Sequence, residues 1–194
     1  IQKRCAIVTD LDTAFIDTTP ESTDSQALAK FKAKCLGSQT KGIERKAALE
    51  VFVNHNTWIE CFFAPHTFEV DFVDAGNSEQ VIGVIGVVYK DPATIVKAKT
   101  DLESKDIAIF GTRALVMANH EGKGWFAIAL GNRVDHQVVI PDYIVAAIHF
   151  LCPVLSTDVW FHILSFRLAC IEQSGLSSPN VIQTARAALA MFRS

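Results

Sequence analysis

A short β-branched segment that ends in two aspartates constrains the fold of this chain more than any other feature. The segment Cys5–Thr9 is apolar, and Asp10-Leu-Asp12 follows it directly. Such a run is typical of a buried strand, and the residues just beyond a strand lie where open α/β sheets bind ligands. Alternation along an extended chain points both aspartates the same way, so their charges repel unless a cation such as Mg²⁺ or Mn²⁺ lies between them. The alternative is a solvated turn, in which aspartate is common.

The rest of the pattern predicts a small sheet surrounded by many helices. Strands are predicted at 5–9, 58–63 and 137–140, and helices at 25–36, 43–53, 78–89, 92–104, 107–119, 124–132, 141–151, 157–173 and 181–192. Gly37 is expected to end the first helix, and residues 81–89 also fit a strand. Thr67 is expected to cap a further short helix. The predicted fold class is therefore α/β, with a small, mainly parallel sheet flanked by helices and added helical segments in the C-terminal half.

Composition narrows the classes of function. The 194 residues are 49 % hydrophobic and 20 % charged, which excludes a disordered tail or linker. The net charge of −3 argues against a generic basic surface for nucleic acid, so any such binding would need local patches or bound cations. The five cysteines form no C-x-x-C pair, which predicts buried free thiols and a cytoplasmic protein. The longest uncharged run near the C-terminus, 143–157, is too short for a membrane-spanning helix.

Three further motifs follow the aspartate pair in order. They are Pro65-His-Thr-Phe-Glu69-Val-Asp71, Gly122-Lys123-Gly-Trp-Phe126-Ala and Pro141-Asp-Tyr143-Ile144. Together with Thr9-Asp10-Leu-Asp12, this order resembles the C-terminal Toprim region of the OLD family of ATP-dependent nucleases, over residues 5 to about 151. One Toprim element has no counterpart here, because the glutamate of the first Toprim strand would lie upstream of Ile1.

The resemblance implies a metal-dependent DNA endonuclease that is part of a larger ATPase-nuclease. Asp10, Asp12 and Glu69 would be the metal ligands for Mg²⁺ or Mn²⁺, with two ions expected, and Lys123 would be the catalytic lysine. Two such ions activate water and stabilise the leaving oxygen, and a lysine adds positive charge at the phosphate. The implied partners are DNA and an N-terminal ATPase region of the same protein, which alone would bind ATP. The full-length protein would form homo-oligomers, and no membrane partner is expected.

The resemblance also implies a division of the chain. Residues 1–151 would form the Toprim-like catalytic domain, without its N-terminal strand and glutamate motif and with a helical insertion around 76–120. Residues 152–194 match no known motif and would form a C-terminal helical extension.

Other interpretations of the same residues remain open. A haloacid-dehalogenase-like phosphatase would use Asp10 as nucleophile, Asp12 as acid/base and Lys123 to orient the nucleophile, although Ala14 departs from its D-x-D-x-T/V motif. A non-catalytic interaction domain with a vestigial acidic edge is the third hypothesis. Glu69 could instead stabilise a helix N-terminus, with Asp71 as the competing ligand, and Lys123 could be a solvated turn residue.

Two further sets of residues are weaker candidates for a functional role. Six basic residues lie within 17 positions: Lys30, Lys32, Lys34, Lys41, Arg45 and Lys46. They predict a solvated helix face, with a DNA-backbone contact as the alternative. His66 is the one histidine near the proposed site, and no partners for a zinc role accompany it in the sequence.

Overall fold

The computed structural model of this chain describes residues 3–120, 122–152, 157–175 and 178–193. Two strands and ten helices are found in these ranges: β1 (Cys5–Asp10), α1 (Gln26–Val53), β2 (Ile59–Ala64), α2 (Phe68–Asp74), α3 (Ser78–Ile82), α4 (Ile85–Val88), α5 (Pro92–Leu102), α6 (Ile107–His120), α7 (Lys123–Gly131), α8 (Asp142–Leu151), α9 (Thr157–Ser174) and α10 (Pro179–Arg193). The chain divides into two compact units. One comprises Ile1–Val134 and Val138–Leu151, and the other Asp135–Gln137 and Cys152–Ser194.

The first unit is built on a β1–α1–β2 crossover. The two strands are parallel and pair in register from Cys5 opposite Ile59 to Asp10 opposite Ala64. Helices α1 and α8 pack against this sheet, as parallel strands need cover on their faces. The α/β class with a small parallel sheet flanked by helices is confirmed. Because both strands end at the same edge, the segments that follow Asp10 and Ala64 begin side by side.

Helix α1 differs from the prediction, because one 28-residue helix replaces two. Ser25 caps it by accepting a hydrogen bond from the Leu28 N–H at 3.2 Å. Gly37 does not end the helix, because the packing of α1 on the sheet outweighs the roughly 1 kcal/mol that an interior glycine costs. This one helix carries the whole of the predicted basic stretch.

The strand predicted at 137–140 is wrong, because this segment has a turn at residue 137 and its residues 138–140 pair with no strand of the described chain. Its backbone is satisfied by a side chain instead: Asn77 accepts from the Val139 N–H and donates to the Val139 carbonyl, both at 2.7 Å. The single helix predicted over 78–89 is also wrong, since α3 ends at Ile82 and α4 begins at Ile85. Neither of these segments adds a strand to the sheet.

The core of the first unit lies among its helices. The largest fully buried hydrophobic side chains are Phe126, Leu102, Met117, Val70, Val81 and Val84. The expectation of buried thiols is wrong: Cys5 and Cys152 are exposed, and the other three cysteines are half-buried. A sheet of two strands has little interior, which leaves the thiols of its strands in contact with solvent.

The second unit contains the helix pair α9 and α10. These helices pack against each other, and Arg186 on α10 forms an ion pair with Glu172 on α9 at 2.7 Å. In the part of the chain that the structure describes, no helix combines the length and apolar character needed to cross a membrane.

Candidate functional site

The loops that follow β1 and β2 are tied together by hydrogen bonds. Leu11 N–H donates to the Ala64 carbonyl at 2.9 Å, and Thr13 N–H donates to the Pro65 carbonyl at 3.0 Å. The His66 ring nitrogen Nδ1 lies 2.8 Å from the Thr13 carbonyl, which can only accept, so Nδ1 carries the proton. His66 therefore has a positioning role between the two loops.

Asp12 has a strained backbone. Its φ is 51°, in the left-handed region that non-glycine residues seldom adopt. Aspartate tolerates this region better than most residues, yet such strain still costs on the order of 1–3 kcal/mol and accumulates at functional sites. The turn at Asp12 directs the chain away from the strand axis immediately after the aspartate pair.

One guanidinium serves both aspartates of the pair. Nη2 of Arg45, on α1, lies 3.1 Å from Asp10 Oδ1 and 3.4 Å from Asp12 Oδ2, and it donates to the Asp10 carbonyl at 2.6 Å. The side chains of Asp10 and Asp12 remain 38 % and 25 % exposed. A cationic side chain of the protein therefore lies between the two carboxylates, and one positive charge faces two negative ones.

Helix α1 reaches this pair because Gly42 lets it approach the loop. A Cβ at Gly42 would lie 1.8 Å from the Leu11 carbonyl oxygen, so no other residue fits there without a shift of the backbone. One turn earlier, Gln39 accepts a hydrogen bond from the Ala14 N–H at 2.9 Å. One face of α1 thus contacts residues 10–14 through Gln39, Gly42 and Arg45. A glycine inside a helical pattern, with an arginine one turn on, was the available signal for this contact.

Glu69 and Lys123 meet although 54 positions separate them in sequence. Lys123 Nζ lies 3.2 Å from Glu69 Oε2, where the glutamate is nearly buried and the lysine is half-exposed. Both residues stand in the first turn of a helix, α2 and α7 respectively. The predicted start of a helix after the Gly122 turn is confirmed, since α7 begins at Lys123 and Gly122 has a φ of 93°. On this helix Phe126 and Leu130 are buried, whereas Ile128 is exposed.

Asp71 and Tyr143 form the inner part of the same edge. Asp71 is buried and accepts the His66 N–H at 3.1 Å. Burial raises the pKa of Asp71 to about 6, although the His66 N–H opposes the shift. The pKa of Tyr143 is raised to about 12, first by burial and then by the negative charges of Asp71, Asp10 and Glu69. The sequence motif around Tyr143 carried no assigned role, and the structure gives this phenol a place within the electrostatic reach of three carboxylates.

A cavity of about 580 Å³ lies beside the aspartate pair and Lys123. Its lining combines one carboxylate with cationic, aromatic and hydroxyl side chains, among them Asp12, Phe15, Phe31, Lys34, Thr67 and Lys123. The Thr67 hydroxyl is buried and has no hydrogen-bond partner within the described residues. The cavity therefore offers positive charge and aromatic surface directly next to the acidic pair.

The predicted basic stretch does not form one surface. Lys32 is buried and pairs with Asp24 at 3.0 Å, and Arg45 is held at the aspartate pair. Lys46 lies over the Phe63 ring, 5.6 Å from its centroid. The expectation of a uniformly solvated helix face is wrong for Lys32 and Arg45, because each is held by carboxylates that lie just before α1 or at the end of β1. Lys30, Lys34 and Lys41 are exposed.

The candidate metal ligands fit a divalent cation in their chemistry. Across the described ranges, no three His, Cys, Asp or Glu side chains are already arranged to hold a metal ion. Asp10, Asp12 and Glu69 nevertheless supply only hard oxygen donors, as Mg²⁺ and Mn²⁺ require. The exposure of the aspartate pair leaves room for a hydrated ion, provided that Arg45 gives up carboxylate oxygens to it.

Comparisons of the chain with protein-family models, with curated proteins and with solved structures give no significant match.

Proposed function

We propose that this chain is the catalytic domain of a metal-dependent DNA endonuclease of the Toprim kind. The observation that carries the proposal is the contact between Glu69 and Lys123 at 3.2 Å. Lys123 also lines a cavity together with Asp12, so three of the four motifs that resemble the OLD family supply charged groups next to the loop that follows β1. Residues that act in one reaction must lie close together, even when their motifs are far apart in the sequence.

The assignment of Asp10, Asp12 and Glu69 as metal ligands rests on their charge and position. Bound cations would polarise the phosphate and lower the pKa of a water nucleophile. The protein contributes a fixed frame for these ligands, because hydrogen bonds from Leu11 and Thr13 lock one loop to the other. The strained turn at Asp12 holds its carboxylate beside that of Asp10.

Lys123 is better explained by catalysis than by stability. A cation in the first turn of a helix opposes the helix dipole, and such a placement costs roughly 0.3–1 kcal/mol. Glu69 offsets that cost, yet the lysine remains half-exposed and lines the cavity. An ammonium held there would stabilise the extra negative charge of a phosphodiester as it is attacked.

The cavity suits a nucleic acid strand. Lys34 and Lys123 provide cations for phosphate groups, and Phe31 offers an aromatic surface for a sugar or base. The overall charge of −3 argues against a broad basic binding face, so a local cleft beside bound cations is the better route for DNA.

A plasmid-nicking assay tests this function. The full-length protein is incubated with supercoiled plasmid in Mg²⁺ or Mn²⁺, with EDTA and Asp12→Asn as controls. We expect nicking that needs the divalent ion and is lost in the variant. Nicking that survives both EDTA and Asp12→Asn would refute the proposal, as would a folded wild type that does not cut. A beryllium fluoride adduct on Asp10 would indicate the phosphatase instead.

A further inference from the structure

We propose that Arg45 is a built-in counter-cation of the Asp10–Asp12 pair and that it must yield these carboxylates before a divalent cation can bind. The inference rests on the proposed function, because it concerns the same metal ligands. It assigns to Arg45 a role that the metal ligands and Lys123 do not cover: setting the metal affinity of the site.

The contact distances indicate that Arg45 forms a strong hydrogen bond to the backbone and weak ones to the carboxylates. Arg45 Nη2 lies 2.6 Å from the Asp10 carbonyl but 3.1 Å and 3.4 Å from the two carboxylate oxygens. Strong charge-assisted hydrogen bonds measure about 2.7–2.9 Å and are often bidentate. A single nitrogen shared by three acceptors cannot reach that geometry, so the carboxylate contacts are the ones that can be exchanged.

The charge balance favours the exchange. One guanidinium faces two carboxylates, which leaves surplus negative charge at an edge that solvent reaches. Arg45 Nε is buried, and within the described residues it has no hydrogen-bond partner. A buried donor without a partner is unfavourable, so the observed placement of the guanidinium is not an optimal one.

The helix itself cannot withdraw to release the pair. Gly42 holds the α1 backbone against Leu11, and Gln39 is bonded to the Ala14 N–H. The adjustment therefore falls to the Arg45 side chain. With its bond to the Asp10 carbonyl kept, the guanidinium stays at the edge of the sheet and presents a cation to an anionic substrate.

Direct measurement of Mn²⁺ binding tests the exchange. Calorimetry, or the signal of free Mn²⁺ in electron paramagnetic resonance, gives the dissociation constant without any cleavage assay. Arg45→Gln keeps a polar side chain but removes the competing charge, so we expect Mn²⁺ to bind about 10-fold more tightly. Lys41→Gln removes a charge from an exposed position of the same helix and should change the constant by less than about 2-fold.

A second measurement does not depend on a variant. In wild-type protein, the Nε–H resonances of the arginine side chains are followed by NMR during titration with diamagnetic Mg²⁺. We expect the Arg45 resonance to shift while that of Arg113, which is held at a different ion pair, stays in place. Arg45→Lys, which keeps the charge, should bind Mn²⁺ within about 3-fold of wild type.

Three results would overturn the proposal: weaker or unchanged Mn²⁺ binding by Arg45→Gln, an Arg45 resonance that does not move at saturating Mg²⁺, and no divalent-ion binding by the wild type. Weaker binding would make Arg45 a positioning residue of the loop. Tighter binding by Arg45→Gln in a protein that nicks no plasmid would support the exchange and refute the nuclease, so the two failures are distinguishable.

Discussion

Two clusters in this molecule pair arginine with aspartate, but the ratio of positive to negative charges is opposite in the two. Arg113 on α6 binds Asp101 on α5 through Nε at 2.9 Å and Nη2 at 2.5 Å, and Lys97 adds a second cation at 3.3 Å. That carboxylate is thus held between two cations. At the sheet edge the relation is reversed, because the single guanidinium of Arg45 is shared by two carboxylates.

This contrast indicates that the Arg113–Asp101 pair is structural and that the Arg45 cluster is open to a ligand. The side chains of Arg113 and Asp101 are 13 % and 16 % exposed and join two neighbouring helices. The Arg45 cluster is more exposed, its hydrogen bonds to the carboxylates are longer, and its charge is not balanced. We therefore expect substitutions in the first cluster to change stability and substitutions in the second to change chemistry.

The largest expected effect is that of Asp10→Asn on plasmid nicking. Loss of a metal ligand removes several kcal/mol of transition-state stabilisation, so the rate should fall by at least about 1,000-fold. Asp101→Asn is the matched control, with the same change in the balanced cluster, and it should nick at close to the wild-type rate at temperatures where it is folded. If the two variants lost activity equally, the distinction between the clusters would be wrong.

The next effect concerns Lys123, whose partner is the nearly buried Glu69. Lys123→Ala should lower kcat by about 100- to 1,000-fold with little change in KM, because the lysine acts on charge that develops in the transition state. Lys123→Arg should rescue poorly if the position of the charge matters. Single-turnover cleavage of a labelled duplex separates the two constants, and wild-type turnover by Lys123→Ala would eliminate the role.

A third prediction uses Asp71, a buried carboxylate without an arginine partner in the described part of the chain. Its pKa of about 6 lies above the ordinary value near 3.9. Folding therefore favours the protonated, neutral form of Asp71. The resulting contribution to the free energy of unfolding is present at low pH and is lost as the pH rises through about 6. Asp71→Asn keeps an acceptor for the His66 N–H and should be more stable than wild type at pH 8, by about 2 kcal/mol, but not at pH 4.

Urea unfolding in EDTA at the two pH values measures this difference. EDTA matters because a bound cation near Asp71 would lower its pKa. Equal stability of Asp71→Asn and wild type at pH 8 would mean that the carboxylate is better solvated than its burial indicates.

The two strands that lead to the candidate site could be predicted from the sequence, but the helix between them could be predicted only in part. The β-branched run before Asp10 and the aromatic run before Pro65 predicted β1 and β2 within one or two residues, because apolar runs bounded by polar turns are a local signal. Gly37 misled the helix prediction, since a local rule for glycine does not include the packing of α1 on the sheet.

The contacts that complete the candidate site were beyond a local pattern. Arg45 was one of six basic residues, and no sequence feature separated it from the exposed Lys41 except its distance from Gly42. Its partner Asp10 is 35 positions away, and Lys123 meets Glu69 across 54. Such pairs depend on how helices cross the sheet, which side-chain periodicity does not encode.

A smaller effect, on stability, is expected in the cluster of Arg113, Asp101 and Lys97. Asp101→Asn leaves Arg113 without its charged partner in a mostly buried place, and the free energy of unfolding should fall by about 1–2 kcal/mol. Asp10→Asn should change it by less than about 0.5 kcal/mol, because Arg45 keeps Asp12 and the exposed pair contributes little. Arg45 offsets only part of the repulsion between Asp10 and Asp12, and solvent screens the remainder, so any gain from relieved repulsion stays within the same limit of about 0.5 kcal/mol. Urea unfolding at pH 7 in EDTA compares the two variants.

The smallest expected effect distinguishes two exposed lysines of α1. Lys34 lines the cavity beside Asp12, whereas Lys41 does not. If a DNA strand passes through this cavity, Lys34→Ala should weaken binding by about 2- to 5-fold and reduce the slope of log affinity against log salt by about 1, because one phosphate contact is lost. Lys41→Ala should leave both nearly unchanged. Fluorescence anisotropy of a labelled duplex in Ca²⁺, with salt varied from low to moderate concentration, measures both quantities for each variant. Equal losses for the two lysines would mean that α1 attracts DNA only through its overall charge, and the cavity would then not be the path of the strand.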